Sequence, residues 1–282
     1  KADGYGHGAE TVARASLRGG AMNLGVATLK EGIELRQAGI DAEILVLGNL
    51  IHAGELKACI DWALMPTLSS LKEVLLCQNL AEGSGRKLMV QLKLDTGMTR
   101  LGCDIKEAPS IVEAINEQSH LDFKGVYSHL AMADREQSTN FESFTRKQKE
   151  RFTDVLRALP KNVAGYKRHL ANSAGTLQDS GLHFDMVRVG LALYGYSPVR
   201  ALESGLQLKP ALSVRARVTF LRDVPKGVGV SYGHSFITSR PSRIAVVGLG
   251  YADGINRALS GKICALRKGQ FLPQVGAITM DQ

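Results

Sequence analysis

Between residues 88 and 95 the chain reads Leu88-Met89-Val90-Gln91-Leu92-Lys93-Leu94-Asp95, apolar at every second position. A strand turns successive side chains to opposite faces, so Leu88, Val90, Leu92 and Leu94 share one face and Gln91, Lys93 and Asp95 the other. Short β-like runs predict strands over Asn23–Thr28, Ala42–Gly48, Trp62–Thr67, Lys87–Asp95, Phe123–His129, Gly165–Leu170 and Met186–Val189. Between them, apolar spacings of three and four predict helices over Glu10–Arg18, Leu29–Ala38, Ala53–Ile60, Leu68–Leu80, Lys106–Gln118, Thr139–Leu159 and a short Gly175–Gln178. Gly19-Gly20 and Gly39 stand where the first two helices should stop.

Strands alternating with helices imply a parallel sheet covered by helices. A further strand expected just upstream of Lys1 brings the count to that of a (β/α)8 TIM-type barrel. After Tyr194-Gly195 the period changes. Val214, Ala216, Val218 and Phe220 alternate with Ser213, Arg215, Arg217 and Thr219, the pattern of a strand with one wet face, and Arg243–Val247 reads as another strand. The chain therefore divides into an α/β barrel over 1–199 and a mainly β domain over 200–282. The first strand is expected upstream of the chain, and the second domain is expected to continue past its end.

In a barrel the outward faces meet the helices, while the inward faces fill the centre and, at the C-terminal ends of the strands, the active site. Lys93 then points inward. So does Arg188, between outward Val187 and Val189. Inward cations call for partners. An ion pair with Asp95 or Asp185 and an active-site role are both open on position alone. Ser173 with Gly190-Leu191 lies after the last strands, where barrels hold phosphate on glycine N–H groups, although Asn172-Ser173 also fits a plain helix cap.

Lys and Arg number 35 against 27 Asp and Glu, a net charge of +8. The charges are dispersed, the densest run (Arg146 to Arg151) reads as a solvated helix face, and no nucleic-acid motif accompanies them, so nucleic acid is not the expected partner. The excess suits an anionic cofactor. No apolar run is long enough for a membrane-spanning helix. Cys59, Cys77, Cys103 and Cys264 have no metal-ligand spacing, which points away from a metal site and towards a reducing, cytoplasmic setting.

Eight segments carry a resemblance. They are Lys1-Ala2-Asp3-Gly4-Tyr5-Gly6-His7-Gly8, Lys93-Leu94-Asp95-Thr96-Gly97-Met98-Thr99-Arg100-Leu101-Gly102, Ser128-His129-Leu130-Ala131, His169-Leu170-Ala171-Asn172-Ser173, Val187-Arg188-Val189-Gly190-Leu191, Val230-Ser231-Tyr232-Gly233, Gly250-Tyr251-Ala252-Asp253-Gly254 and Met280-Asp281-Gln282. In this order they resemble the motifs of the alanine racemase family, enzymes with a barrel and a β domain that depend on pyridoxal 5'-phosphate (PLP).

The resemblance implies a cytoplasmic PLP enzyme that interconverts L- and D-alanine for cell-wall peptidoglycan. Lys1 would hold the cofactor covalently and act as one proton-transfer base, with Tyr232 the other on the opposite face. Arg188 would meet the pyridine nitrogen and, being always charged, keep it unprotonated. His169 would link Arg188 to Tyr232, and His129 would lie close to the ring. Arg100 would contact the cofactor's phenolic oxygen and the substrate carboxylate, braced by Lys93 if that lysine is carbamylated. Tyr5, Asn172, Ser173, Gly190 and Leu191 would hold the phosphate end. Tyr232, Tyr251 and Met280-Asp281 would come from the partner subunit of a homodimer with shared sites.

Gly4, Thr99 and Thr279 depart from the residues common in the family, none at a proton-transfer position. A racemase for serine or lysine on the same scaffold is one rival. A non-catalytic PLP carrier is another, but it would lack the domain bearing Tyr232. A decarboxylase of the same cofactor fold would carry an acid in place of Arg188.

Overall fold

The computed structural model describes residues 2–134, 139–163, 165–199 and 206–282. It contains two compact units, Lys1–Leu212 and Ser213–Gln282.

The first unit is built on a parallel sheet of β1 (Asn23–Val26), β2 (Glu43–Asn49), β3 (Met65–Leu68), β4 (Leu88–Asp95), β6 (Leu121–Tyr127) and β7 (Lys167–His169), neighbours in that order. The two-residue β5 (Cys103–Asp104) pairs with the end of β4. Helices cross between the strands and cover the outer face. Thr28 starts Leu29–Gln37 with a capping box closed by Glu31. Ser70 accepts from the Glu73 N–H and starts Leu71–Ser84, so Leu68, expected in that helix, ends β3 instead. Ile44, Val46, Leu88, Val90, Leu92, Leu94 and Val126 pack with the helices in one large core. Leu45, Met65 and Tyr127 form a second, inner cluster against Leu47 and Met89.

The expected fold class is borne out as a half-barrel of parallel strands and helices followed by a mainly β unit. The expected strand at Met186–Val189 is a correction: the segment joins no ladder. Its backbone reaches β7 and the chain beyond only by Asp185 N–H to Arg168 O and Arg188 N–H to Ala171 O, a spacing of three residues where a ladder repeats every two. Between those bonds the Arg188 side chain takes Leu170 O, the next carbonyl on that side, while His169 O faces β6 and also accepts from Ser128 N–H. Val189, expected against the helices, is 42% exposed.

Residues Ala2–Gly6 form a turn of left-handed helix, with φ of 43° at Ala2, 53° at Asp3, 60° at Gly4, 56° at Tyr5 and 76° at Gly6. Each non-glycine residue there opposes its own preference by roughly 1–2 kcal/mol. Fixed partners hold it. Gly8 N–H donates to Asp3 O (3.0 Å), the Asp3 carboxylate accepts from Ala9 N–H (2.7 Å), and Glu31 accepts from Ala2 N–H (2.5 Å).

The second unit consists of three antiparallel pairs: Val218–Val224 with Ser242–Val247, Gly229–Val230 with Phe236–Ile237, and Cys264–Arg267 with Gln270–Pro273. The alternation expected from Ser213 becomes a strand only at Val218. Its apolar face is not buried, with Val218 and Phe220 more than half exposed, because a two-stranded ladder covers little surface.

Candidate functional site

Because β4, β6 and β7 are parallel neighbours, their C-terminal ends share one rim. Register pairs Gln91 with Gly125, Lys93 with Tyr127, and Tyr127 with His169. Gln91, Lys93, Tyr127 and His169 are all buried on the inner side, opposite the apolar face of Leu88, Val90, Leu92 and Leu94.

Arg188 reaches into this interior. Nη1 lies 2.7 Å from His169 Nδ1 and donates to His169 O at 3.1 Å. Nη2 donates to Ser128 O at 2.6 Å and Leu170 O at 3.2 Å, and stands 3.5 Å from His129 Nδ1. The guanidinium carbon lies 5.1 Å over the Tyr127 ring. Burial pushes the Arg188 pKa down to about 10, with Tyr127 opposing, so the group stays charged near neutrality. Its partner is neither Asp95 nor Asp185. Asp185 takes Arg168 in a bidentate pair at 2.7 Å, and Asp95 closes its own loop by accepting from Gly97 N–H and Thr99 N–H.

His169 is fully buried, and burial followed by the Arg188 charge hold its pKa well below the ordinary histidine value. The imidazole is therefore neutral. A guanidinium can only donate, so Nδ1 accepts and the proton sits on Nε2, which donates to Gln91 Oε1 at 2.8 Å. The expected link from Arg188 through His169 to Tyr232 is thus corrected: both ring nitrogens are engaged within the first unit, the outer one by Gln91. Tyr127 stacks on His169 at 4.8 Å and donates to Thr67 Oγ1, which itself donates to Val46 O. Lys93 Nζ lies 5.5 Å from the centroid of the same ring.

Three positions here were not legible as functional. Gln91 points inward with no role read from the sequence, and Tyr127 is only one position of the strand Phe123–His129 there. Gln148 stands in the charge run read as solvated, yet it is fully buried. It accepts from Ala131 N–H and donates to Thr96 Oγ1 and His129 O, fixing the loop that carries Ser128 and His129. Strand alternation alone, followed past Lys93 to the facing β6, would have found Tyr127.

A second cluster adjoins Arg188 in sequence. Ser173 Oγ accepts from Gly190 N–H at 2.8 Å and Ala192 N–H at 3.4 Å. The Tyr5 ring lies 4.9 Å from Tyr194, whose other neighbour is His7 at 4.5 Å. A Cβ added at Gly190 would stand 3.0 Å from Tyr5 Oη and 4.0 Å from Ser173 Oγ. Two hydroxyls thus converge on a glycine, a cradle for an anion's oxygens. Leu191 opens the turn Leu191–Tyr194 beside it. Asn172 takes the plain role weighed for it, capping Ser173–Gln178 by accepting from Gly175 N–H. Arg100 is exposed in the loop after β4, and Lys1 lies outside the described residues.

In the second unit the Tyr232, Tyr251 and Met280 segments are tied together. Ser231 Oγ donates to Ala277 O at 2.8 Å. Tyr251 N–H donates to Thr279 O and Ala252 N–H to Met280 O, both at 3.0 Å. The side chains of Tyr232, Tyr251 and Met280 are nonetheless 73%, 43% and 54% exposed, and Asp281 is exposed with them. Among the described residues no group of His, Cys, Asp and Glu could hold a metal ion, and no helix is long and apolar enough to cross a membrane.

The family models for the N-terminal and C-terminal domains of alanine racemase match residues 1–198 and 211–282. The chain belongs to the alanine racemase family. An alanine racemase of Prochlorococcus marinus is 62% identical over 282 residues, covering 100% of this chain and 73% of the relative. One from Nostoc is 47% identical over 287 residues, with the same shares. The alanine racemase structure from E. faecalis superposes with a TM-score of 0.87 at 32% identity, over 98% of this chain and 73% of that one. The Bartonella henselae structure, with covalently bound pyridoxal phosphate, gives 0.83 at 33% identity over 99% and 75%.

This alanine racemase family member is accordingly a PLP-dependent amino-acid racemase. The residues present fit the cofactor. The glycine-floored cradle of Tyr5 and Ser173 suits its phosphate, and Arg188, two residues before Gly190, supplies a cation.

Proposed function

We propose that the chain interconverts L-alanine and D-alanine with two bases, Lys1 and Tyr232. The observation that carries the reading is the setting of Arg188, a permanent donor held by carbonyls and imidazoles rather than by an acid. When bound, PLP supplies the electron sink for the pair left as the Cα–H bond breaks. Set against the pyridine nitrogen of the bound cofactor, Arg188 would donate without giving up its proton and so would limit how deep that sink becomes. Lys1 Nζ takes the α-proton on one face of the substrate, and Tyr232 Oη delivers a proton to the other, with the roles reversed for the opposite enantiomer.

Tyr5, Ser173, Gly190 and Leu191 hold the phosphate, with Asn172 fixing the turn that carries Ser173. Arg100 binds the substrate carboxylate, and a carbamylated Lys93 braces it. Tyr232, Tyr251, Met280 and Asp281 act on the site of a partner subunit, a reading favoured by their exposure on their own unit. His129, at the far side of Arg188 from His169, takes over the link towards Tyr232. The cysteines are free, in keeping with a cytoplasmic enzyme that supplies D-alanine for peptidoglycan.

The test is incubation of the PLP-loaded chain with L-alanine in deuterium oxide, followed by chiral separation and mass analysis. D-alanine carrying an α-deuteron supports the proposal. Exchange confined to serine or lysine in parallel reactions replaces the substrate, and cofactor binding with no exchange overturns the racemase mechanism. Tyr232→Phe should suppress exchange from one enantiomer far more than from the other. Equal, mild losses from both enantiomers would remove Tyr232 from its role.

A further inference from the structure

Gln91 holds the end of the chain of contacts that runs to Arg188. Its Oε1 accepts from His169 Nε2 at 2.8 Å, and His169 Nδ1 in turn lies 2.7 Å from Arg188 Nη1. All three side chains are inside the half-barrel, where neither Gln91 nor His169 has access to bulk water. The seat for Gln91 is built from the neighbouring strand. The β4–β6 register shifts between Val90 and Gln91, and the residue then opposite Gln91 is Gly125. A Cβ at Gly125 would stand 3.0 Å from both Cδ and Oε1 of Gln91. A glycine at this place leaves the volume that the amide occupies.

From this arrangement we propose that Gln91 is a positioning residue: it fixes His169 in the Nε2–H tautomer, so that Nδ1 presents a lone pair to Arg188 and aims its guanidinium. The catalytic consequence rests on the racemase reading above; the tautomer assignment does not. A neutral imidazole has one donor and one acceptor nitrogen, and a guanidinium has only donors. Were His169 to carry its proton on Nδ1, an N–H would face an N–H and Arg188 would lose a partner. With Oε1 turned to Nε2, Gln91 accepts only from the Nε2–H form, the same form that the donor-only guanidinium requires at Nδ1. The charged and titratable groups around His169 fit the scheme. Arg188 adjoins Nδ1, Tyr127 stacks on the ring from β6, Lys93 lies across Tyr127 on β4, and Asp185 acts from a distance while held by Arg168. The arrangement sets up a neutral His169 whose tautomer is held from both sides, by the Arg188 guanidinium and the Gln91 amide oxygen.

The experiment uses the full chain with histidine labelled by nitrogen-15, studied first without PLP and then loaded. In the parent, His169 should show one protonated nitrogen, Nε2, and no titration from about pH 6 to 9. Gln91→Leu removes the acceptor, so the single tautomer should give way to a mixture. In the loaded protein kcat should fall about tenfold while KM for alanine moves less than about twofold. Gln91→Glu has the same shape and guards against a folding defect. Its carboxylate favours the imidazolium, so both ring nitrogens should be protonated, and the lost activity should return as pH rises and the ring gives up its extra proton.

A parent spectrum with the proton on Nδ1 overturns the proposal. So does a Gln91→Leu protein whose tautomer and kcat match the parent, or a Gln91→Glu protein whose pH profile does. A parent with the expected tautomer but no racemisation would leave the positioning intact and overturn the racemase reading, so the two failures are told apart.

Discussion

Replacing Arg188 by lysine keeps the charge and removes the fork, which makes the role of its shape measurable. The guanidinium serves five acceptors, namely the carbonyls of Ser128, His169 and Leu170 and the imidazole nitrogens of His169 and His129. An ammonium has three donors, so at least two acceptors lose a partner. Ser128 N–H also reaches His169 O at 3.3 Å, so four acceptors depend on the fork and three donors leave at least one of them alone. A buried acceptor left alone costs about 1–3 kcal/mol, which puts the loss near 2 kcal/mol. For a unit of this size that lowers the midpoint by roughly 6 °C. Calorimetry of the PLP-free chain, with urea titration followed by circular dichroism, reads the change without any contribution from the cofactor. A midpoint within about 2 °C of the parent would refute the claim that the fork holds the loops after β6 and β7 together.

Gly190→Ala puts a methyl 3.0 Å from Tyr5 Oη; PLP affinity in a spectral titration should fall at least tenfold, at about 1.4 kcal/mol per decade, with the PLP-free midpoint little changed. Mixing Lys1→Ala with Tyr232→Phe subunits should restore about a quarter of the parental racemase activity, because half of randomly paired dimers hold one site with both bases; no recovery would refute shared sites. Burial raises the thiols of Cys59, Cys77 and Cys103 to about 12, so alkylation of the native chain near pH 8 should mark the exposed Cys264 first by peptide mass analysis. The Asp185 carboxyl is lowered by its hydrogen bond from Arg168, so the pair's contribution is present above the ordinary carboxylate pKa and fades as pH falls from about 4 through the lowered native value. Asp185→Asn should therefore flatten the acid limb of the urea stability curve by about 1 kcal/mol or less, the pair being partly exposed.

The β4 face was legible because its signal is local: Leu88, Val90, Leu92 and Leu94 alternate within eight residues, and burial follows the alternation. The segment Met186–Val189 carries an equally good local signal and still makes no ladder. Beside it the Arg188 side chain takes Leu170 O, a carbonyl that a ladder would use, and no propensity contains that competition. His169 was recognised, yet its outer partner was assigned to Tyr232. The actual partner, Gln91, lies 78 residues away in sequence and meets it only across three neighbouring strands. Likewise the buried Gln148 hides among charges, since its task is to bind backbone that lies next to it only after folding. The left-handed turn at Ala2–Gly6 was half visible in Gly4, Gly6 and Gly8, but Asp3 and Tyr5 share that geometry with no glycine to announce it.

That turn has a chiral consequence. Ala2, Asp3 and Tyr5 occupy backbone angles natural to the mirror-image amino acid. Built by peptide ligation with D-alanine at position 2, the segment would relax where the L-residue is strained, while the carbonyls and amides that Asp3 and Glu31 secure would stay in place. A protein proposed to make D-alanine thus contains backbone into which D-alanine fits with less strain than the residue encoded there.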